Sequence, residues 1–215
     1  MSTIKVNNIE DVKTLTIGDA SAEDTKIVFD GNAQDFHIGL DDSADSLTIG
    51  LGSTLGTTSH MVFDANGHIT KPLQPAFSAA SDTTQSNIAT GSEVGAVWEQ
   101  EIFDQNSDFS TSSDAFTAPV SGRYLLGARV RMDSLDKDAS YFYIKITTSN
   151  REYYNITTFS SLAADQVYFH FNITQLADMD ANDTAIVRVY QPDGTQQADL
   201  TGQVAAQSFW GFLVA

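Results

Sequence analysis

The chain has 215 residues, and 11 Lys and Arg stand against 28 Asp and Glu, so the formal net charge is −17. Such an acidic chain repels the phosphates of nucleic acids and the anionic headgroups of membrane lipids, which argues against both as partners. Cysteine is absent, and this excludes disulfides, thiol nucleophiles and thiolate metal sites.

The chain shows neither a membrane-spanning stretch nor a secretion signal. Its longest apolar run is a handful of residues near the C-terminus, far short of the roughly 20 residues that span a bilayer. The first ten residues lack the basic start and apolar centre of a signal peptide. We therefore expect no membrane insertion and no secretory route.

Aromatic residues divide the chain into two unequal parts. Only Phe29, Phe36 and Phe63 precede residue 75, although the chain holds 13 Phe, 7 Tyr and 2 Trp. Two prolines fall within residues 71–75, where they favour an extended connector. We predict an N-terminal region of residues 1–74 and a C-terminal domain of residues 75–215.

The N-terminal region contains an imperfect repeat. The letters TIG at 16–18 and IVFDG at 27–31 recur as TIG at 48–50 and MVFDA at 61–65. Short apolar strands of this kind bury little surface alone and need stacked neighbours or identical copies. We favour a β-rich stalk, and one small antiparallel sheet with coincidental similarity is the alternative.

The C-terminal domain alternates apolar and polar residues along three stretches. These stretches are residues 124–132, 167–173 and 185–189. A period of two is typical of strands that turn one face to a core, and the turn-rich segments between them favour antiparallel pairing. The sequence predicts an all-β fold with an antiparallel sandwich.

Three separated motifs in this domain match one known pattern in order and spacing. They are Pro-Ala-Phe at 75–77, "F-x-A-P-x-x-G-x-Y" at 116–124 and Phe-Trp-Gly-Phe-Leu at 209–213. This set resembles the globular head of complement component 1q and its tumour-necrosis-factor-like relatives. The resemblance implies a ten-stranded jelly roll that forms tight trimers, and it implies a structural rather than a catalytic role for the motifs. Gly122 is expected to permit the tight turn into the strand that follows.

The closing segment is apolar on both faces. Phe209 and Leu213 alternate with Trp210, Phe212 and Val214. A strand buried on both faces lies centrally in a sandwich or between the sandwich and a partner subunit. We expect Phe209, Trp210, Phe212 and Val214 to form the core and the interface of a homotrimer with closed threefold symmetry.

A second resemblance concerns the N-terminal region. Residues 1–9, together with "V-F-D-x-N-G-x-I" at 62–69, resemble the N-termini of structural and tail-fibre proteins of marine bacteriophages. No collagen-like Gly-X-Y repeat is present, so the stalk is of another kind. The resemblance implies a virion protein that is assembled in the reducing bacterial cytoplasm and docks to another virion protein through this region.

Candidate catalytic and metal-binding residues are few. None of the four histidines has a metal-like partner at helical spacing, and no Gly-x-Ser-x-Gly nucleophile motif occurs. Two aspartate clusters, at 133–138 and 178–183, offer hard oxygen ligands for calcium, although solvated turns are the commoner use of such clusters. We predict a non-enzyme without a cofactor and keep calcium as an alternative.

The sequence therefore predicts a short trimeric fibre or spike whose head binds a glycan or protein on the host surface. The head loops would make this contact, and exposed aromatic rings there would stack on sugars. A capsid decoration protein is the alternative, and a polysaccharide depolymerase or a cellular lectin fits less well. The candidate contact residues are Asp133, Asp136, Tyr153, Tyr154 and Asp180.

Overall fold

The protein is all-β, as the sequence predicted. The computed structural model describes residues 10–215, and within this range it contains β-strands, turns and one short 3-10 helix but no α-helix. No helix in the described residues is long and apolar enough to cross a membrane. The chain divides into two compact units between Leu73 and Gln74.

The first unit is a five-stranded antiparallel meander in which every strand pairs with its neighbours in the sequence. A 3-10 turn at Asp42–Ala44 joins its second and third strands. The two copies of the sequence repeat differ in structure, because residues 16–18 lie outside any strand whereas residues 48–50 lie within one. The strands are β1 (Thr25–Phe29), β2 (Phe36–Asp41), β3 (Ser46–Leu51), β4 (Ser59–Asp64) and β5 (Ile69–Thr70).

The second unit is a sandwich of two antiparallel sheets. Its strands are β6 (Ala76–Ala80), β7 (Val94–Gly95), β8 (Gln100–Asp104), β9 (Phe109–Ser110), β10 (Ala115–Thr117), β11 (Gly122–Leu135), β12 (Phe142–Thr148), β13 (Glu152–Thr157), β14 (Gln166–Met179), β15 (Thr184–Tyr190), β16 (Asp199–Leu200) and β17 (Ser208–Leu213). One sheet has the order β13-β12-β15-β10-β9, and the other has the order β14-β11-β17-β6-β8. The two-residue strands β7 and β16 add to β15 and β11.

The core of the sandwich follows the alternation of its strands. Along β11, Tyr124, Leu126, Ala128, Val130 and Met132 are all buried, and the alternate residues of β15 are buried as well. These two predictions are confirmed. The prediction for residues 167–173 was only half right, because Val167 is 77% exposed at the start of edge strand β14, where the core no longer covers it.

The turn before β11 is closed by its own signature residues. Phe116 and Tyr124 are fully buried with ring centroids 5.4 Å apart, and the Tyr124 hydroxyl donates a hydrogen bond to the Val120 carbonyl at 2.8 Å. Gly122 serves a different purpose from the predicted one, since its φ is not positive. A Cβ atom there would lie 2.6 Å from Leu213 Cδ1 and 2.7 Å from the Ala215 carbonyl oxygen. Glycine is therefore required by the close approach of the C-terminal strand.

Candidate functional site

The closing strand β17 lies in the middle of its sheet, hydrogen-bonded to β11 on one side and to β6 on the other. Phe209 is fully buried, whereas Phe212 is 41% exposed and Val214 is 49% exposed. The prediction that both faces are buried therefore holds only for the Phe209 face in a single chain. The second face, on the outer side of this sheet, exposes Phe212 and Val214.

This outer side carries an apolar surface that crosses the strands. Leu125 lies opposite both Leu176 and Phe212, and Trp210 lies on the same side one pair further along β17. Phe103 extends the surface on β8 and is 52% exposed. We call Phe103, Leu125, Leu176, Trp210 and Phe212 the head face.

The indole of Trp210 lies flat on the sheet because Gly127 faces it. A Cβ atom on Gly127 would come within 2.1 Å of Trp210 Cζ2, so a larger residue would lift the ring. Trp210 is thereby held half-buried on the head face. This close packing gives the head face a flat, rigid centre.

The meander of the first unit exposes a second apolar surface. Its apolar side chains share one side of the sheet, because each lies directly opposite another across neighbouring strands. We call this surface the meander face, and its most exposed members, each at least 37% exposed, are Ile27, Phe29, Phe36, Ile38, Leu40, Leu47 and Ile69.

The opposite side of the meander is buried although it is more polar. His37, Ser46 and Thr48 are at most 5% exposed there, and the loop residue Leu55 also packs on this side. His37 Nδ1 lies 2.9 Å from the Gly52 carbonyl oxygen of the same loop. The sheet thus covers its polar side with its own loop and leaves its apolar side open, an arrangement that marks an interaction surface.

A cluster of tyrosines lies on the outer side of the other sandwich sheet. The ring of Tyr143 stacks on Tyr190 with centroids 4.9 Å apart, and Tyr141 lies beside both rings, 6.3 Å from Tyr143 and 5.9 Å from Tyr190. Tyr154 meets Tyr143 edge-on at 5.1 Å. We call Tyr141, Tyr143, Tyr154 and Tyr190 the tyrosine cluster.

A buried lysine fixes this cluster. The side chain of Lys145 is 4% exposed, and its Nζ lies 2.6 Å from both Glu93 Oε1 and Glu152 Oε1. Glu93 also accepts a hydrogen bond from the Tyr143 hydroxyl at 2.6 Å, and Glu152 accepts one from the Tyr154 hydroxyl. Burial works against the charge of Lys145, yet the two carboxylates hold the lysine pKa above its usual value.

Replacing Lys145 by methionine should loosen this network. We expect Lys145→Met to lower the free energy of unfolding by about 1–2 kcal/mol at pH 7, because Glu93 and Glu152 lose a shared cation while methionine keeps most of the packing. Chemical denaturation at pH 7 measures the loss. Lys137→Met is the control, since the Lys137 ion pair with Asp138 lies at the surface, and an equal loss in the control would contradict the prediction.

A shallow groove adjoins the tyrosine cluster. It has a volume of about 390 Å³ and is lined by Tyr141, Tyr143, Ile156, Thr157 and Thr158. Ile156 is 60% exposed and lies directly opposite Tyr143 across strands β12 and β13. Two tyrosines, one isoleucine and two threonines therefore border the same open space.

The structure does not gather the five candidate contact residues in one place. Tyr154 belongs to the tyrosine cluster, whereas Tyr153 turns inward against the core, and burial raises the pKa of its hydroxyl. Asp133 lies within strand β11 rather than in a loop. Asp180 lies in the exposed turn between β14 and β15.

Two of the predicted loop aspartates accept hydrogen bonds from other residues of the same chain. Asp133 accepts two hydrogen bonds from Arg131, at 2.7 and 2.9 Å, on the outer side of the sheet that contains β11 and β17. Asp136 is 2% exposed and accepts hydrogen bonds from the backbone N–H groups of Asp138, Thr195 and Gln196. The prediction that Asp136 contacts a receptor was wrong, because its carboxylate ties two loops together inside the protein.

The calcium alternative finds no support in residues 10–215. Nowhere in this range do three acidic, histidine or cysteine side chains gather as metal ligands. In the second aspartate cluster, Asp178 forms a two-point ion pair with Arg151, at 2.9 Å for both contacts. The hydrogen bonds from Arg151 lower the pKa of Asp178 to about 2.

Sequence reasoning missed most of the tyrosine cluster. Tyr141 and Tyr143 alternate in the sequence and precede Lys145 at the same spacing, which is a signal for one shared face of a strand. Tyr190 joins them only through the pairing of β12 with β15. The cluster could be assembled only once that register was known.

Comparison with known proteins addresses the fold of the second unit. No known protein family matches the sequence, and no curated protein matches it. The crystal structure of murine APRIL at pH 8.0 is similar, with a TM-score of 0.50 and 12% identity over 66% of this chain and 99% of that chain. The globular domain of zebrafish complement 1qA gives a TM-score of 0.46 and 16% identity over 66% of this chain and 98% of that chain. The likeness to APRIL shows the jelly-roll fold that the three sequence motifs predicted.

Proposed function

We propose that this protein is a non-enzymatic homotrimer, a short fibre or spike of a bacteriophage particle whose head binds the host surface. The observation that supports it most is the head face. Phe103, Leu176 and Phe212 are 41–52% exposed on one sheet of a chain whose net charge is −17. Apolar side chains gathered on an otherwise acidic surface mark a place where another molecule packs.

The uncharged side chains of the head face allow a second copy of the chain to be the partner. Copies with a charge of −17 repel each other, so they can meet only where the surface is uncharged and the apolar burial outweighs the repulsion. The five side chains of the head face carry no charge, which meets the first condition. The jelly-roll resemblance implies three copies, and closed threefold symmetry lets each chain cover the face of the next without leaving an open end.

The meander face extends the same reasoning to the N-terminal unit. Seven apolar side chains are about half-exposed on one side of a small sheet, and burying the rest of each would contribute about 0.7–1.5 kcal/mol. Identical copies would bury them in a trimeric stalk. The virion-docking role rests on the sequence resemblance to phage proteins, and residues 1–9, which are part of it, lie outside the described residues.

Attachment to a host surface suits such a trimer. Three heads on one stalk present three copies of every weak contact, and a surface with repeated receptors converts this into tight binding. No strong single site is required. Binding rather than chemistry is then the task of the head, and we expect the purified protein to release no fragments from host polysaccharides.

The mass of the protein in solution tests the trimer. We expect a species of about 70 kDa, three times the 23.3 kDa chain, by light scattering. Phe212→Glu should shift the mass toward 23.3 kDa, since a buried unpaired carboxylate on each of three faces opposes assembly. Val167→Glu is the control, because Val167 is 77% exposed away from the head face. A wild-type monomer would refute the proposal.

Labelling of intact phage particles tests the virion role. Antibodies against the chain should mark the tail or the vertices in negative-stain images. Even labelling of the capsid surface would instead identify a decoration protein, and the attachment role would be lost.

A further inference from the structure

The tyrosine cluster places four of the chain's seven tyrosines on one outward sheet face. We infer that this cluster binds an uncharged pyranose unit of a host-surface glycan. The inference deepens the proposed function and rests on it, because it names the site and the ligand class through which the head would attach.

Two of the four rings, those of Tyr143 and Tyr154, are held in place before any ligand arrives. Tyr143 is anchored by Glu93, Tyr154 is anchored by Glu152, and Lys145 joins the two carboxylates. The Lys145 ammonium also lies 5.4 Å from the centroid of the Tyr154 ring. Side chains that are locked on strands lose little further freedom on binding, which favours affinity for a small ligand.

The groove beside the rings has the chemistry that a sugar ring requires. Tyr141 and Ile156 offer apolar surface to the C–H face of a pyranose, and Thr157 and Thr158 complete the lining of the groove. The volume of about 390 Å³ lies in the range of small-ligand sites. Tyrosine suits this task because its ring combines a large apolar area with a polar tip.

The charges around the cluster specify an uncharged ligand. Lys145 and Arg188 lie beside Glu93 and Glu152, and both cations lower the pKa of Glu152, with Lys145 contributing first through its hydrogen bond. Two cations and two carboxylates leave the site without net charge. The surrounding chain, at −17, would repel a uronic acid or a sulfated sugar.

The site stays accessible in the proposed trimer. The tyrosine cluster lies on the outer side of the sheet β13-β12-β15-β10-β9, whereas the head face lies on the outer side of the other sheet. The two surfaces therefore point away from each other across the sandwich. Three copies that pack through the head face would expose three tyrosine clusters.

Affinity electrophoresis of the full-length protein tests this inference. Native gels would contain dextran, mannan or galactan as neutral probes, or alginate as an anionic probe. We expect at least one neutral polymer to retard the protein and alginate to leave it unaffected. Tyr141→Ala should weaken the retardation at least fivefold, because the Tyr141 ring lines the groove and packs against Tyr143 and Tyr190.

A second groove variant and a control variant complete the test. Ile156→Glu should also weaken retardation by the neutral polymer. Because Ile156 is 60% exposed, this variant should fold even if Tyr141→Ala does not. Tyr168→Ala is the matched control, because Tyr168 is 58% exposed on the other sheet. It should migrate like the wild type.

The outcomes separate this inference from the proposed function. A trimer that no neutral polymer retards, or one whose retardation survives both groove variants, overturns the glycan site and leaves the attachment fibre standing. Retardation by alginate alone overturns the uncharged ligand. A monomer by light scattering overturns the proposed function itself.

Discussion

Phe209→Ala is expected to lower the free energy of unfolding by about 3–5 kcal/mol, since the fully buried phenylalanine would leave a cavity. Its ring meets three others, with centroids 5.0 Å from Phe77 and 6.0 Å from both Trp98 and Phe109. The void would open where both sheets meet. Denaturant unfolding monitored by tryptophan fluorescence measures the loss.

Phe212→Ala provides the matched control on the same strand. The two phenylalanines differ by three positions and point to opposite sides of β17, with Phe212 41% exposed. We expect Phe212→Ala to change the unfolding of the single chain by less than about 1 kcal/mol and to weaken the trimer instead. Equal losses from both variants in the monomer would contradict the assignment of the two faces.

Asp136→Asn is expected to remove a part of the stability that depends on pH. Backbone N–H groups of Asp138, Thr195 and Gln196 donate hydrogen bonds to this carboxyl and hold its pKa below the usual value of an aspartate. The folded pKa therefore lies below the unfolded one. The carboxylate stabilises the fold fully above about pH 5, and this contribution disappears as the pH falls through the folded pKa.

The variant should thus differ most from the wild type at neutral pH. We expect Asp136→Asn to lower the unfolding free energy by about 2–3 kcal/mol at pH 7, and the difference should shrink between about pH 4 and pH 2. Thermal unfolding over this pH range measures it. Asp180→Asn, in an exposed turn, should track the wild type throughout, and a difference for Asp136→Asn that does not change with pH would refute the explanation.

The strands of the sandwich illustrate what local patterns determine. The alternation from Tyr124 to Met132 predicted one buried face of β11, and that face is buried. The same reasoning failed at Val167 because alternation identifies two faces but not how far the opposite sheet extends. Strand identity is local, whereas coverage depends on neighbours elsewhere in the chain.

The aspartates show the same limit for candidate sites. Asp136 and Asp133 looked alike in the sequence, as acidic residues in a polar segment. In the structure, backbone N–H groups donate hydrogen bonds to the Asp136 carboxylate, whereas Asp133 pairs with Arg131. Thr195, which binds Asp136, lies 59 residues away in the chain, and Arg131, which binds Asp133, lies two positions away on β11. Composition alone therefore could not separate the two roles.

By itself the sequence determined the all-β class, the jelly-roll motifs, the acidic surface and the apolar closing strand, because each depends on residue type and short-range spacing. The tertiary structure alone decided which side of β17 is open, and that the meander exposes its apolar side. It also brought Tyr190 to Tyr143 and Lys145 between Glu93 and Glu152. Those outcomes follow from the register of strands far apart in the chain, since hydrogen-bonded pairing fixes which side chains become neighbours.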